Sequence, residues 1–350
     1  MEQRINKILE AAIRAPSGDN TQPWRFEVSI DNQQIDLFNV PERDPSYLNY
    51  KQLASYVAHG ALIENMLIAA KTVGCNMDIS LFPNSENEEH VAKISLKVCA
   101  PRQDPLYDAI FRRVTNRNQF KPISLTEEQL QLLRMAANTV SNATVTLISE
   151  AKVKNNLAWN LRKNDQFIFE HREAHDFLFK QIRWSKRHAK NTCDGMPIEN
   201  LGLGFLEKPL FPIFKYWPAV KFLNILGLSH FIGLKGWMNY RSSAILGMVS
   251  VTRGADKKET FLTGGRAAQR VWLESTRQGF SFQPVTGLTF LNQRYQREDL
   301  TGFNAKQKLQ IEDACGRLKT DFNIKGKVAV FGFRIGKSDS TPPFTLRRPV

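Results

Sequence analysis

Residues 60–74 read GALIENMLIAAKTVG, and residues 265–279 read GRAAQRVWLESTRQG. Both segments place apolar residues three and four positions apart, which is the spacing of a helix with one buried face. The matching apolar positions are Leu62, Ile63, Met66, Leu67 and Ala70 in the first segment and Ala267, Ala268, Val271 and Trp272 in the second. Each segment ends on a glycine, which suits a left-handed helix cap. The pattern predicts two equivalent amphipathic helices.

Similar elements surround each of these helices. The flanking segments with helical or β-like patterns are residues 5–12, 25–30 and 94–98 in the first half and residues 126–137, 143–148 and 328–333 in the second. Thr126, followed by two glutamates, is typical of a helix start. The order helix, strand, helix, strand therefore occurs twice and predicts an internally duplicated α+β unit. Chance similarity between two common amphipathic helices is the alternative.

A long insertion, residues 152–240, interrupts the second half of this pattern. Its last part, residues 209–238, is the most apolar and aromatic stretch of the chain, and three prolines in it prevent one continuous helix. Lysines recur through the same stretch. Three interpretations stay open: a lid over a pocket, a buried helical hairpin, or a basic interfacial segment that lies on an anionic membrane.

Composition excludes several classes of protein. The 350 residues include 23 Phe, 6 Trp and 7 Tyr, enough bulk for a real core, which excludes wholesale disorder. The four cysteines lie far apart without a CxxC pair, so neither a disulfide scaffold nor a zinc module is expected. The charged N-terminus does not resemble a signal peptide, and a cytoplasmic location is expected. The net charge of +14 indicates attraction to anions without specifying which.

The loop at residues 15–24, APSGDNTQPW, carries the sharpest chemical signal. It joins a predicted helix to a predicted strand, and its short polar side chains can both donate and accept hydrogen bonds. Pro16 and Gly18 are expected to fix an unusual backbone path, and Pro23 to hold Gln22 in an extended conformation. An ordinary turn explains any three of these residues, but not readily the whole loop.

A basic segment, residues 111–120, reads FRRVTNRNQF. If it is extended, Arg113, Thr115 and Arg117 project from one face, because side chains alternate along an extended chain. Two guanidinium groups and a hydroxyl converging on one point would bind phosphate. The tail ends in a further basic pair, Arg347 and Arg348. A solvated basic surface is the alternative for each cluster.

Taken together, the loop, the basic segment, the late QPVTGL motif and the basic tail resemble the FMN-dependent nitroreductase superfamily. The similarity is greatest to its single-chain, duplicated branch, which includes the Acg proteins of mycobacteria. The resemblance covers most of the chain and implies a nitroreductase-like α+β fold. One chain would mimic the family homodimer, with residues 1–105 as the first unit and residues 106–350 as the second, and the insertion would form a helical, aromatic lid.

In this family FMN binds between two units, and both contribute residues. The resemblance implies that the phosphate contacts Arg113, Thr115 and Arg117, and that the 15–24 loop reaches the flavin. The residues it assigns to FMN are Pro16, Ser17, Gly18, Asn20 and Gln22 in the loop; Arg113, Thr115 and Arg117; Val285, Thr286 and Gly287 near the reactive flavin nitrogen; and Arg347 or Arg348 over the phosphate.

Only one complete site is expected. The first unit has no arginine-rich segment before Ile5, and the second carries residues 138–143, NTVSNA, where the first has the 15–24 loop. Each unit keeps the half that the other lacks. We therefore expect a monomer with pseudo-dimeric architecture that binds one FMN.

The resemblance implies an oxidoreductase that passes hydride from NAD(P)H through FMN to a nitroaromatic or quinone-like small molecule. No side-chain nucleophile, general base or metal is expected. The alternative is a non-catalytic protein that holds or sequesters FMN beneath the aromatic insertion around residues 211–237. A third class, a nucleic-acid or membrane-binding protein, has only the net charge in its favour, and no nucleic-acid partner is expected.

Overall fold

The computed structural model describes residues 1–254 and 256–350. The first half of the chain forms α1 (Glu2–Ala12), β1 (Trp24–Ser29), β2 (Gln34–Asn39), α2 (Leu53–Thr72), β3 (Cys75–Leu81), β4 (His90–Val98) and α3 (Tyr107–Arg112). The second half forms α4 (Glu127–Asn138), β5 (Ala143–Ile148), α5 (Ala151–Leu161), α6 (Lys163–Ile168), α7 (Arg172–Gln181), β6 (Ile182–Arg183), α8 (Lys186–Thr192), β7 (Met196–Pro197), α9 (Trp217–Ile225), α10 (Leu228–Arg241), β8 (Ile245–Thr252), α11 (Lys257–Arg277), β9 (Ser281–Pro284), α12 (Gly287–Tyr295), α13 (Ala305–Asp321) and β10 (Lys327–Gly336).

Two antiparallel four-stranded sheets have the same topology. The strand order is β1-β2-β4-β3 in the first sheet and β5-β8-β10-β9 in the second. A long helix follows the second strand of each sheet along the chain: α2 connects β2 to β3, and α11 connects β8 to β9. Every helix and strand of the predicted repeat is present, and Thr126 forms a capping box with Gln129 at the start of α4. Gly74 and Gly279 have positive φ just beyond the two long helices, as their pattern predicts.

The two long helices pack against each other at the centre of the molecule. A Cβ atom on Gly60 would lie 2.0 Å from the carbonyl oxygen of Leu262, and one on Gly265 would lie 2.1 Å from that of Val57. Only glycine permits this approach. Buried Glu64 on α2 accepts hydrogen bonds from Arg266 and Arg270 on α11, at 2.9 and 2.7 Å. Because charge-assisted bonds of this kind are directional, they fix the register of the helix pair.

One hydrophobic core extends through both units, with Trp24, Leu62, Trp272 and Phe333 among its buried members. The insertion adds helices α5 to α10 and has an aromatic cluster of its own around Phe169, Phe179 and Phe211. The aromatic stretch 209–238 is therefore anchored on its inner side as a helical hairpin, α9 and α10, rather than forming one helix.

Among the described residues, one helix, residues 50–72, is long and apolar enough to cross a membrane. In the fold, 89% of its most apolar window is buried. This helix contains α2, and its apolar surface is covered by α1, α11 and the first sheet. It is a core helix of the globular fold.

Candidate functional site

A cavity opens beside the central helices, and residues from both halves of the chain line it. Its wide chamber, about 260 Å³, is lined by Ala61 of α2, by Gly265 and Trp272 of α11, and by residues of the 15–24 loop and of the insertion. A narrow arm of about 60 Å³ lies next to it, between the basic segment and the C-terminal tail. Chamber and arm share Pro16, Ser17, Asp19, Thr115 and Arg117 in their walls. The chamber is the more apolar of the two spaces, and the arm is the basic one.

The 15–24 loop has an unusual backbone, as predicted, but the residues that adopt the unusual conformation differ from those predicted. Asp19, Asn20 and Gln22 all have positive φ, at 45°, 59° and 53°, whereas Gly18 does not. Gln22 is therefore left-handed rather than extended, and the expected effect of Pro23 was wrong. Left-handed backbone at non-glycine residues is strained and persists only where surrounding contacts hold it. Here the amide of Gln22 donates to Ser17 Oγ at 2.9 Å, which closes the turn.

The narrow arm is dominated by arginines. Arg113 is buried, donates to the Arg14 carbonyl at 2.9 Å, and lies 4.4 Å above the Trp272 ring. Trp272 is stacked on Phe282, so the position of the guanidinium is fixed by aromatic packing. Burial and neighbouring Arg347 lower the pKa of Arg113 to about 9. Positive charge is thus concentrated here at an energetic cost.

The C-terminal tail of the second unit returns to cover the first unit's loop. Arg347 lines the arm, donates through Nη1 to Asn20 Oδ1 at 2.7 Å, and donates through Nε to the Ile13 carbonyl at 2.8 Å. Burial and the charge of Arg14 lower the pKa of Arg347 to about 10. Arg14, Arg113 and Arg347 make no ion pair with a carboxylate within residues 1–254 and 256–350. This part of the cavity has the properties of an anion site.

Arg117 stands where the arm meets the chamber. Its guanidinium donates to the Asn200 carbonyl at 3.2 Å. It forms no ion pair with Asp19, although the Asp19 charge interacts with it electrostatically. Burial raises the pKa of Asp19, with Arg117 opposing that shift. Thr115 forms a parallel bridge with Phe282, which holds the segment extended beside β9. The predicted convergence of Arg113, Thr115 and Arg117 on one space is observed.

The turn 284–287 forms another wall of the chamber, at the start of α12. The amide of Val285 donates to the Gly332 carbonyl at 2.7 Å, and that of Leu288 to Asn164 Oδ1 at 2.5 Å. Between them, the amides of Thr286 and Gly287 have no acceptor in the described part of the chain. The turn therefore presents two uncommitted N–H donors at a helix N-terminus.

A buried polar network forms the chamber wall beside the turn 284–287. Tyr240 Oη donates to Asp165 Oδ2 at 2.7 Å, and both residues line the cavity. Burial raises the pKa of Asp165 to about 6 and that of Tyr240 well above its ordinary value. Fully buried Arg334 lies behind them and donates to Gln283 Oε1 at 2.6 Å. The network places a weakly acidic carboxyl beside the chamber.

Most of the sequence-assigned residues line this space. They are Pro16, Ser17, Gly18, Asn20, Arg113, Thr115, Arg117, Val285, Thr286, Gly287 and Arg347. Gln22 and Arg348 lie in neither wall. Gln22 Oε1 accepts from the amide of Arg348 at 2.8 Å, and the Arg348 guanidinium pairs with Asp194. These two residues fasten the tail to the loop and to the insertion.

The insertion lines the chamber through a different segment from the one expected. Asn164, Asp165 and Ile168 of α6, with Phe177 of α7 and Tyr240 at the end of α10, form this wall. The aromatic residues 211–237 pack one layer further out and contribute nothing to either lining. The expectation that they cover the pocket was wrong, because the polar helix α6 lies between them and the cavity.

Sequence analysis missed Arg14, Asp165, Tyr240 and Trp272. Arg14 directly precedes the predicted loop and could have been included on that ground. Trp272 belongs to the predicted α11 pattern, where its bulk indicated only a core position. Asp165 and Tyr240 belong to the insertion and carry no local motif.

No protein-family model matches the chain. Rv3131 of Mycobacterium tuberculosis, named a candidate NAD(P)H nitroreductase, is 25% identical over 202 residues, or 57% of this chain and 55% of that protein. The Acg protein of the same organism, named likewise, is 27% identical over 90 residues, or 26% of this chain and 27% of Acg. The matched segment thus spans about half the length of Rv3131.

A solved structure from Anabaena variabilis, described as a candidate nitroreductase, covers 96% of this chain and 88% of its own with a TM-score of 0.53 at 8% identity. The chain therefore has a nitroreductase-like α+β fold. Together with the mycobacterial relatives, this fold confirms the resemblance to the nitroreductase superfamily and to its Acg-like members.

Proposed function

We propose that the cavity binds FMN and that the protein is an NAD(P)H-dependent oxidoreductase that reduces nitroaromatic or quinone-like small molecules. The observation that carries this proposal is that the arginine-rich arm and the wide chamber are adjacent and share five wall residues. An anionic phosphate would match the arm, and a flat ring would match the chamber. Both units supply their walls, as the family resemblance implies.

The arm is suited to a phosphate. The buried Nε atoms of Arg14 and Arg113 have no hydrogen-bond partner. An unsatisfied buried donor is costly, and the cost is greatest for a charged group. A phosphate supplies acceptor oxygens and negative charge together, so it would relieve both the missing hydrogen bonds and the repulsion among Arg14, Arg113 and Arg347.

The chamber is suited to a polar-edged ring. Small and apolar residues of the central helices form much of its wall, while Trp272 Nε1 and Gln269 Oε1 are buried without partners. The amides of Thr286 and Gly287 add two donors at the start of α12. A ring with nitrogen and carbonyl groups around its edge would satisfy these atoms, whereas a hydrocarbon would leave them unpaired.

FMN, when bound, supplies the hydride-transfer chemistry. The chain's own residues would bind and orient it: the arginines of the arm would hold the phosphate, and the uncommitted Thr286 and Gly287 amides would offer hydrogen bonds to the ring. Arg117, at the junction, would favour negative charge on the ring electrostatically. The Asp165 carboxyl, whose Oδ2 accepts from Tyr240 Oη, has its pKa raised by burial to about 6 and so carries a proton beside the chamber over part of the near-neutral range.

The proposal includes one FMN per chain and a duplicated origin, with units at residues 1–105 and 106–350. The shared strand order of the two sheets supports the duplication. The equivalent loops differ, because residues 13–23 separate α1 from β1, whereas residues 139–142 separate α4 from β5. The shorter loop cannot reach across as the longer one does. A cytoplasmic location also belongs to the proposal and agrees with four free thiols.

A second candidate function is FMN binding without turnover. Its support is the insertion wall, since Ile168 and Phe177 line the chamber and would restrict the access of a nicotinamide donor to a flavin bound there. In that case the protein would hold or sequester FMN.

Anaerobic mixing of the FMN-loaded protein with NADH or NADPH distinguishes the two functions. An oxidoreductase bleaches the flavin absorbance in the visible range, and a subsequent quinone or nitroaromatic restores it. A sequestering protein stays yellow at millimolar donor. Protein that takes up no FMN when it is supplied would contradict both.

A further inference from the structure

We propose that the tip of the α9–α10 hairpin attaches the protein to an anionic membrane surface. The hairpin tip is defined here as Phe222, Ile225, Leu226 and Phe231. The exposed fractions of these residues are 63%, 79%, 73% and 67%. Four large apolar residues this exposed and this close in sequence form a patch, which in globular proteins marks an interaction site.

The helical geometry places these side chains together. Phe222, Ile225 and Leu226 are three and four residues apart at the end of α9, so they share one helix face. Gly227, with a φ of 92°, reverses the chain into α10, whose first turn carries Phe231. The opposite side of the hairpin is anchored, because Val220, Leu228 and Ile232 belong to the aromatic cluster of the insertion. The outward residues are therefore not needed for that packing.

A second exposed apolar segment lies beside α10. The turn at residues 204–211 is held beside α10 by an ion pair between Glu207 and Lys235. Its exposed apolar residues, with those just after it, are Phe205, Leu206, Leu210, Ile213 and Tyr216. Glu207 Oε2 also accepts from the Gly204 amide at 2.7 Å, which closes the turn.

The charge around the patch is positive. Lys208, Lys215 and Lys221 are exposed and have no carboxylate partner within the described residues. The one acidic residue of the segment 205–238, Glu207, is neutralised by Lys235. Lysines that flank exposed aromatic and aliphatic residues are typical of segments that lie in the interface of an anionic bilayer.

The patch favours a bilayer over a second copy of the chain. A symmetric dimer would bring two copies of this positively charged surface together, and their like charges would repel. The tip residues line neither part of the cavity, and they project from a helix end, where a fluid bilayer can accept them without a matching pocket. The net charge of +14 adds long-range attraction to an anionic surface.

Vesicle cosedimentation tests the proposal with the full-length protein. Vesicles of phosphatidylcholine alone are compared with vesicles containing phosphatidylglycerol, each at low and high salt. The wild type is expected to bind the anionic vesicles, more weakly as salt rises. The triple variant Phe222→Ser/Ile225→Ser/Leu226→Ser is expected to lose about tenfold or more in affinity. Leu309→Ser, equally exposed at 67% on α13, is the matched control and should bind as the wild type does.

Thermal melting of each variant verifies that it is folded. The double variant Lys215→Gln/Lys221→Gln measures the contribution of charge to binding separately from that of apolar insertion. That charge variant should weaken binding to anionic vesicles while melting as the wild type does. The proposal is overturned if the wild type binds no vesicles, if it binds neutral vesicles equally well, or if the folded triple variant binds unchanged. It is also overturned if sedimentation shows a dimer that the triple variant abolishes without any vesicle binding, which would make the patch a contact between copies.

Discussion

Gly60 and Gly265 occupy equivalent positions on the two central helices, and each lies against the backbone of the opposite helix. A Cβ atom added to Gly60 would lie 2.0 Å from the carbonyl oxygen of Leu262, and one added to Gly265 would lie 2.1 Å from that of Val57. The chamber borders this contact, since Gly265 and Val57 also line it. The packing of the helix pair therefore sets the spacing of the cavity walls that come from different units.

Replacement of either glycine by alanine is expected to separate the helices. Because the added methyl group meets backbone rather than a movable side chain, Gly60→Ala or Gly265→Ala should lower the free energy of unfolding by about 2–4 kcal/mol. Chemical denaturation measures the effect. Gly316→Ala is the control: this exposed α13 position has open space, and alanine should stabilise it by about 0.5–1 kcal/mol. Equal stability of all three variants would refute the close packing.

Arg113 is expected to recognise the phosphate rather than the flavin ring. Arg113→Gln should weaken FMN binding by about 1.5–3 kcal/mol, which is roughly tenfold to more than a hundredfold, because it removes charge-assisted hydrogen bonds. Riboflavin, which lacks the phosphate, should bind the variant and the wild type alike. Fluorescence titration with both ligands provides the measurement.

The neighbouring Arg112→Gln supplies the matched control for this experiment. Arg112 is exposed and lies in neither cavity wall. Its variant should bind FMN normally. If Arg113→Gln weakened the binding of riboflavin as much as the binding of FMN, the arginine would maintain the shape of the site and would not recognise the phosphate.

The periodic parts of the fold could be predicted from sequence. The presence of α2 and α11 follows from apolar spacing, and the end of each follows from Gly74 and Gly279. Their starts, at Leu53 and Lys257, precede the predicted segments. The single buried face predicted for α2 was wrong, because this central helix is buried on nearly all sides. Arg113, Thr115 and Arg117 also converge as predicted, because an extended segment alternates its side chains whatever it packs against.

The rest depends on contacts between distant segments. Within one loop, Asn20 faces the arm while Gln22 fastens the tail, and the left-handed backbone at these residues decides between the two roles. Asp165 and Tyr240 are 75 residues apart, and their pairing depends on how α6 and α10 pack. No spacing rule for a single helix or strand connects them.

Asp165 is expected to make stability depend on pH. Its pKa is about 6 in the folded protein against 3.8 for an ordinary aspartate, so the folded state binds the proton more tightly. Well below pH 3.8 the group is protonated in both states, and as pH rises from about 4 to 6 the folded state loses stability relative to the unfolded state. Asp165→Asn removes this dependence. Its free energy of unfolding, relative to that of the wild type, should therefore rise by about 2 kcal/mol between pH 4 and pH 7.

Urea denaturation at the two pH values measures that gain. Burial raises the pKa of Asp44 to about 7, but this group titrates in the variant and in the wild type alike. Its contribution therefore cancels when their free energies of unfolding are subtracted. Asp31→Asn, at an exposed position, is the matched control. A constant difference for Asp165→Asn would show that the carboxyl is solvated and does not carry the proposed proton.

Gln22 is expected to act through the C-terminal tail. Its side chain accepts from the Arg348 amide and donates to the Cys193 carbonyl at 2.9 Å, so Gln22→Ala releases both. Amide hydrogen exchange in residues 343–350 should become faster, and FMN should bind more weakly because Arg347 loses its position. Gln119→Ala, at an exposed site beside the basic segment, is the control. Unchanged protection of the tail would mean that Gln22 does not hold it.

Titration of the FMN-free protein with FMN, followed by fluorescence or calorimetry, tests the central claim most directly. The claim is that two unlike halves of one chain build a single anion-and-ring cavity. It predicts saturation at one FMN per chain, with an affinity that Arg113→Gln lowers. Saturation at two FMN per chain, or no uptake at all, would contradict it.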